Sequence, residues 1–364
     1  MVSKITWGIA LLVLISLLFV FSNFVQEKEV IEPELKDKEL ESRLNEFAKN
    51  IVSGGPPKDG IPPVDRPKYV PVQDADNFLD EKDVVFVVEN IDTEKIYPQK
   101  ILVWHEIVND VIGGERVSIT YCPLTGSTVG FKGKFDSNET TFGTSGKLLN
   151  SNLVMYDRAT DSYFPQILGM AVKGSQKGKT LEEFPVIWTT WDRAKAKYPG
   201  ALVLSADTGF LRQYGTDPYG SYQEKGTYYD SGDPFFPVMV TDSRLAAKEV
   251  VIGIRINNSA LAIVKNKLVE SRVANLRMDN RSIVAFYDES LDTVRIYSGH
   301  IGTDILNFET RGGKIFDRES NSEWSVLGES TGGEMRGTKL RPINSFDVMW
   351  FAWFSFYPQT ELYG

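Results

Sequence analysis

The sequence predicts a β-rich α+β protein, made of two similar halves that follow an apolar N-terminal helix. Three observations carry this. Short segments rich in Val, Ile, Phe, Tyr and Thr, punctuated by Gly, Asn and Asp, read as strands. Helical stretches are few, one near the end of each half. An ordered set of motifs occurs twice. The chain has 364 residues, 42% hydrophobic and 24% charged, a folded composition with enough length for two domains or one large one.

Residues 5–25 carry no charge and are long enough to cross a hydrocarbon core of roughly 30 Å as a helix. Lys4 and the free amine precede them, and Glu27, Lys28 and Glu29 follow. The positive-inside bias then leaves residues 1–4 in the cytoplasm and everything after residue 25 outside. No small-x-small cleavage site follows the run, where Phe21-Ser22-Asn23-Phe24-Val25 is bulky, so an uncleaved single-pass signal anchor in the cell membrane is predicted rather than a cleaved leader. Residues 26–59 read as a stalk and linker. Leu35, Leu40, Leu44, Phe47 and Ile51 fall at helical spacing within it, and Ser53-Gly54-Gly55-Pro56-Pro57 breaks the pattern.

The first half spans 60–205, a connecting region 206–248, and the second half 249–364. Asp83 to Val88 with Lys100-Ile101-Leu102 matches Glu249 to Ile254 with Asn266-Lys267-Leu268. Ser118-Ile119-Thr120 matches Ser282-Ile283-Val284, and Asp157-Arg158 with Ser162 matches Asp317-Arg318 with Ser322. Trp191 with Tyr198-Pro199 matches Trp350 with Tyr357-Pro358. The order is kept and the spacing drifts by a few residues, which reads as an internal duplication. Lys95 to Leu102 and Leu261 to Leu268 are predicted as strands, as are Val117 to Tyr121 and Val129 to Phe135. Thr190 to Lys197 and Val348 to Phe356 are predicted as helices. Asp157-Arg158 and Asp317-Arg318, kept by both halves, are assigned to architecture: an Asp caps turns and an Arg pairs with carboxylates. The connecting region, rich in Tyr, Gly, Asp and Pro, reads as a binding loop or a plain connector.

Composition narrows the chemistry. A net charge of -9 argues against a nucleic-acid partner, whose phosphates need a basic face. One cysteine excludes an internal disulfide and any multi-cysteine metal site, and two histidines argue against an all-histidine site. Attention therefore falls on Trp104-His105-Glu106 and Cys122-Pro123-Leu124-Thr125-Gly126-Ser127. Pairing the halves by eye sets His105-Glu106 against Ser271-Arg272 and Cys122-Pro123 against Phe286-Tyr287. His105 and Cys122 are thus what the first half has and the second lacks. Replacement by Phe equally suits a cysteine that is simply buried. Pro123 fixes φ and Gly126 can take φ > 0, so Cys122 to Ser127 reads as a tight turn between two strands.

Gly60-Ile61-Pro62-Pro63-Val64-Asp65, the block from Trp104 to Asp110, Thr120-Tyr121-Cys122-Pro123-Leu124, Met155-Tyr156-Asp157-Arg158 and Asp217-Pro218-Tyr219-Gly220 together resemble one family, the prokaryotic "domain of unknown function three-one-seven-nine". The resemblance covers roughly residues 60–364. It implies an extracytoplasmic protein and no particular activity. The family pattern at the turn resembles Cys-Pro-Leu-Cys-Gly-Ser, and this chain has Thr125 at the second cysteine, so a dithiol cycle within the turn is excluded. The family's usual Trp after the Asp-Arg motif is Phe164 here.

Three function classes follow. Cys122 and His105, with Met155 or Glu106, form a soft or borderline ligand set suited to copper or another transition metal, with a metal or redox role. Alternatively, Cys122 is the nucleophile of a thiol hydrolase or transferase and His105 its base, with Asn109 or Asp110 orienting the imidazole. The third class is a non-catalytic cell-surface module that binds a small molecule or a protein. Its candidate ligand-binding residues are Trp104, Glu106, Asn109, Thr125, Ser127, Tyr214, Asp217 and Tyr219. The sequence names neither substrate nor partner.

Overall fold

Runs such as Val84–Val88 and Asn152–Asp157 are buried along their whole length, so they form strands covered on both faces. The computed structural model describes residues 38–364 apart from 90–93, 136–137, 231 and 258. The predicted anchor at 5–25 lies outside the described residues. No helix among the described residues is long and apolar enough to cross a membrane. The described part is β-rich α+β, with 13% helix and 40% strand.

The chain divides into Met1–Lys49 and Asn50–Gly364. In the first unit, residues 38–49 are helical, and Leu44 and Phe47 of the predicted apolar stripe are buried. In the second unit, a five-stranded sheet has the order Ile187–Thr190, Val84–Val88, Lys95–Pro98, Leu202–Leu204, Tyr69–Pro71. Lys95–Pro98 runs parallel to Leu202–Leu204, and the other pairs are antiparallel. Helix Trp191–Lys197 packs Trp191 and Ala194 among Val85, Val87, Ile96 and Val203. Later in the chain, Phe346–Met349, Val250–Ile256, Ser259–Val264 and Glu361–Tyr363 form a sheet that also contains one parallel pair. Helix Trp350–Phe356 follows its outer strand as Trp191–Lys197 follows Ile187–Thr190.

The predicted helices appear within two residues of their expected starts. The predicted strands Lys95 to Leu102 and Leu261 to Leu268 do not run through. Each stops after a few residues and turns into a short helix, Gln99–Leu102 or Lys265–Ser271. Pro98, with φ -65°, is the N-cap of the first and gives the strand its last residue.

A three-stranded meander follows each helix. Ile107–Ile112, Glu115–Cys122 and Ser127–Lys132 form the first; Val273–Met278, Arg281–Asp288 and Thr293–Ser298 form the second. The first hairpin turns on Gly113 and Gly114, with φ 56° and 79°, as a two-residue turn with two positive φ values requires. Matching hydrogen bonds fix how the meanders correspond. Tyr121 N donates to Glu106 O (2.7 Å) and Tyr287 N to Arg272 O (2.9 Å). Phe142 N donates to Asn109 Oδ1 (3.0 Å) and Phe308 N to Asn275 Oδ1 (2.7 Å). Lys132 N donates to Glu182 O and Ser298 N to Arg341 O, both at 2.8 Å. These contacts set Tyr121 opposite Tyr287 and Cys122 opposite Asp288, two positions from the pairing with Phe286 expected from sequence. A two-residue slip keeps the strand's in–out alternation, so the hydrophobic pattern cannot detect it.

Candidate functional site

Cys122 ends the strand Glu115–Cys122, and its Cα pairs across the hairpin with Ser127. The turn between them puts Gly126 at φ 52°, as its sequence requires. The thiol is buried. Its sulfur accepts the Leu153 N–H at 3.3 Å and lies 3.8 Å from the Ser151 carbonyl. Burial, and after it the Glu106 carboxylate, pushes the thiol up to about 11; contacts from Thr125 and the Leu153 amide partly offset them. This environment favours the protonated thiol, the reverse of an electropositive cysteine site.

Beneath the turn the hydroxyls are spent on one another. Thr125 Oγ1 lies 2.8 Å from Ser127 Oγ, which donates to Gln166 Oε1 at 2.6 Å. Asn152 Nδ2 donates to Thr125 Oγ1 (3.1 Å) and Gln166 Oε1 (2.9 Å). Thr125 and Ser127, expected to point inward or at a ligand, point inward, in a closed network with Asn152 and Gln166, all fully buried. The Thr125 carbonyl accepts Met349 N at 2.9 Å, which ties the turn to the later sheet.

His105 is placed elsewhere. Its Nδ1 lies 2.6 Å from the Pro62 carbonyl, and its Nε2 2.6 Å from Tyr214 Oη. A carbonyl only accepts, so Nδ1 carries the proton and Nε2 accepts from Tyr214, whose oxygen also meets Thr208 Oγ1 at 2.6 Å. Burial lowers the imidazole's proton affinity, with the Pro62 contact opposing. Both ring nitrogens of a neutral imidazole are therefore occupied, and neither contacts Cys122. Met155 is buried in the strand pairing with Phe164. Among the described residues, no group of three or more His, Cys, Asp or Glu side chains is placed to hold a metal ion. In this arrangement His105 therefore has no free nitrogen for a metal or for the Cys122 thiol.

Asn109 and Asp110 do not orient His105 either. Asn109 bonds Asp65, Phe142 and Ser118, as Asn275 bonds Phe308, and Asp110 accepts from Lys95, Tyr69 and Tyr97.

What the structure brings to Cys122 is Glu106. It sits at φ 59° after the short helix, its N–H on Leu102 O at 2.6 Å. Arg272 holds the corresponding place at φ 64°, so the left-handed backbone belongs to the architecture of both meanders. The side chains differ in kind. Arg272 pairs with Glu289 at 2.8 Å, whereas the Glu106 carboxyl is buried and has no hydrogen-bond or ion-pair partner among the described residues. Burial alone pushes it up to about 8.

The connecting region covers this pair. Asp217 Oδ2 accepts from Gln99 Nε2 and Tyr229 Oη, both at 2.7 Å. Tyr121 Oη lies 2.9 Å from Tyr222 Oη, and Trp104 Nε1 donates to Thr216 O at 3.1 Å. Tyr222 stacks on Tyr229 with centroids 3.7 Å apart. Tyr228 Oη donates to the Leu124 carbonyl at 2.7 Å, directly on the cysteine turn. Burial, then Glu106 and Cys122, raise the Tyr219 phenol, which places its hydroxyl in the same field. Tyr228→Phe is expected to cost about 1 kcal/mol and to speed modification of Cys122 by a thiol reagent severalfold, with native stability measured alongside.

A family model described as "Protein of unknown function (DUF3179)" matches residues 58–360. The chain belongs to this family. No curated protein and no solved structure gives a match. In this DUF3179 chain the turn that carries much of the family resemblance is also the one that meets the aromatic cover. Of the residues named from the sequence, Glu106, Asp217 and Tyr219 lie around the thiol or in its cover. Gln99, Tyr121 and Gln166, which hold the cover and the floor, were not among them; the signal for Tyr121 was its place beside Cys122 in the motif.

Proposed function

We propose that this DUF3179 protein carries a single-thiol site in which Cys122 is the reacting atom, Glu106 its proton partner and the tyrosine-rich stretch its cover. In this reading, residues 5–25 anchor the protein in the cell membrane and the remainder works outside the cytoplasm. The two halves descend from a duplication, supported by the matching hydrogen bonds, and only the first keeps the site. The observation that carries the reading is the Glu106 carboxyl, largely buried in the field of the thiol and with no side-chain hydrogen bond or ion pair among the described residues. Such a group is costly and concentrates at functional sites. The chemistry it suits is thiol transfer. When the cover lifts, water reaches Glu106 and lowers its proton affinity. The carboxylate then takes the proton of Cys122 as sulfur bonds to an electrophilic carbon, and returns it to the leaving group. Glu106 thus takes the part expected of His105.

The test is the pH dependence of Cys122 modification in the purified protein, wild type beside Glu106→Gln. The carboxylate raises the thiol, so its removal moves thiolate formation to lower pH. Modification at about pH 9 is expected to be about fivefold to tenfold faster in the variant, a shift of up to about one unit. An unchanged profile would sink the pairing. A non-catalytic module that binds under the same tyrosines is the second reading, favoured by the density of aromatic rings there, and it predicts that Cys122→Ser retains ligand binding. A copper site would require His105 to leave Pro62 or Tyr214. Stoichiometric metal lost on Cys122→Ser would favour it.

A further inference from the structure

The later meander borders a cleft of about 570 Å³ lined by Arg281, Ser282, His300, Thr338, Lys339 and Arg341, among others. No carboxylate lines it, in a chain of net charge -9. Lys339 pairs with Glu329, which is not among the lining residues, at 3.2 Å. Arg281 and Arg341 have no ion-pair partner among the described residues.

The same hydrogen bonds that align the meanders show what the first half puts here. Lys132 N donates to Glu182 O as Ser298 N does to Arg341 O, so Arg341 stands where Glu182 does. Gly133 N donates to Arg116 O (2.8 Å) as Gly299 N does to Ser282 O (2.9 Å), which sets Arg281 where Glu115 stands and His300 where Lys134 stands. In the first half these positions neutralise one another. Lys132 reaches Glu182 at 2.5 Å and Glu115 at 3.3 Å, and Lys134 reaches Glu115 at 3.4 Å. In the second half both glutamates are arginines and Lys132 is Ser298. The internal counter-charge is gone while the frame is kept.

We infer that this cleft binds a phosphate-type oxyanion, with Arg281 and Arg341 as its charge partners. Two guanidinium forks with Lys339 match the several oxygens of such an anion, and the Ser282 and Thr338 hydroxyls add neutral donors. His300 Nε2 lies 3.3 Å from the Ser282 N–H, so in the neutral ring Nδ1 carries the proton and is the nitrogen left to donate. The anion could arrive free or as the headgroup of a lipid.

The purified full-length protein in a zwitterionic detergent is titrated with inorganic phosphate, with pyrophosphate, and with mixed micelles containing phosphatidic acid or, as control, phosphatidylcholine. Saturable binding of at least one phosphate probe is expected, weakening with salt and at least tenfold in Arg281→Glu/Arg341→Glu, which restores the first half's acids. Arg281→Lys/Arg341→Lys is expected to keep measurable binding, and melting temperature checks that both variants fold. Binding of inorganic phosphate or pyrophosphate identifies a free anion; binding of phosphatidic acid alone identifies a headgroup. No saturable binding of any phosphate probe, or equal binding by the glutamate variant, overturns the inference.

Discussion

Between about pH 5 and about pH 8 the folded protein is expected to lose on the order of 3–5 kcal/mol of stability, and Glu106→Gln is expected to remove most of that loss. In the folded chain burial holds Glu106 at about 8, against an ordinary 4.5. Over that window the unfolded chain has already released the proton that the folded chain still holds. Protons bound in the folded state exceed those in the unfolded, so stability falls as pH rises and levels off above about 8. Asp347 acts in the same sense at lower pH, since burial, with Lys265 opposing, pushes it up to about 6. The glutamine variant leaves a buried amide short of partners and costs about 1–2 kcal/mol where Glu106 is protonated. The wild type is therefore expected to be the more stable near pH 5 and the variant near pH 8.5. Urea unfolding at the two pH values measures the crossing, and parallel curves at both would show that Glu106 is solvated in the native state.

Asp317→Ala is expected to cost about 3–4 kcal/mol at neutral pH, among the larger effects of any single substitution. The fully buried carboxylate accepts from Ser320 N (2.5 Å), Ser320 Oγ (2.8 Å), Ser322 N (3.1 Å) and Trp324 Nε1 (2.9 Å). Burial alone would raise it, but the bonds from Trp324 and the Ser320 and Ser322 turn outweigh burial and hold it below 3.8. Alanine leaves those donors without an acceptor. Asp157→Ala is expected to behave alike through Thr160 and Ser162, but without a tryptophan donor, since Phe164 stands in the strand after the turn. The Asp317 contribution is present above the ordinary carboxylate range and is lost as pH falls through the depressed value. Denaturant melts at pH 7 and at successively lower pH measure this: the variant's deficit should be largest at pH 7 and shrink as pH falls below the ordinary carboxylate range.

The fold class was legible because strand alternation, glycine turns and the two tryptophan helices are local signals. So was the turn: Gly126 had to be where φ is positive, and it is. Asp157 and Asp317 recur together in the sequence, and in the structure each caps its turn through the backbone N–H groups and hydroxyls that follow it. The correspondence between meanders was misread by two residues because alternation repeats every two. Only the hydrogen bonds, which count residues from the turn, set Cys122 against Asp288.

Sequence by itself determined the family, the β-rich class and the single thiol. It also singled out the stretch from Trp104 to Glu106. Tertiary structure decided which member of that stretch lies in the field of Cys122. His105 and Glu106 are neighbours, but the backbone reverses between them through Glu106's left-handed conformation. One side chain is locked between Pro62 and Tyr214, while the other is an acid in the field of the thiol with no side-chain partner among the described residues. A rare residue type is visible in a sequence. Whether its polar atoms are already satisfied depends on groups that lie up to 109 residues away in the chain, such as Tyr214 on His105, and only folding brings those together.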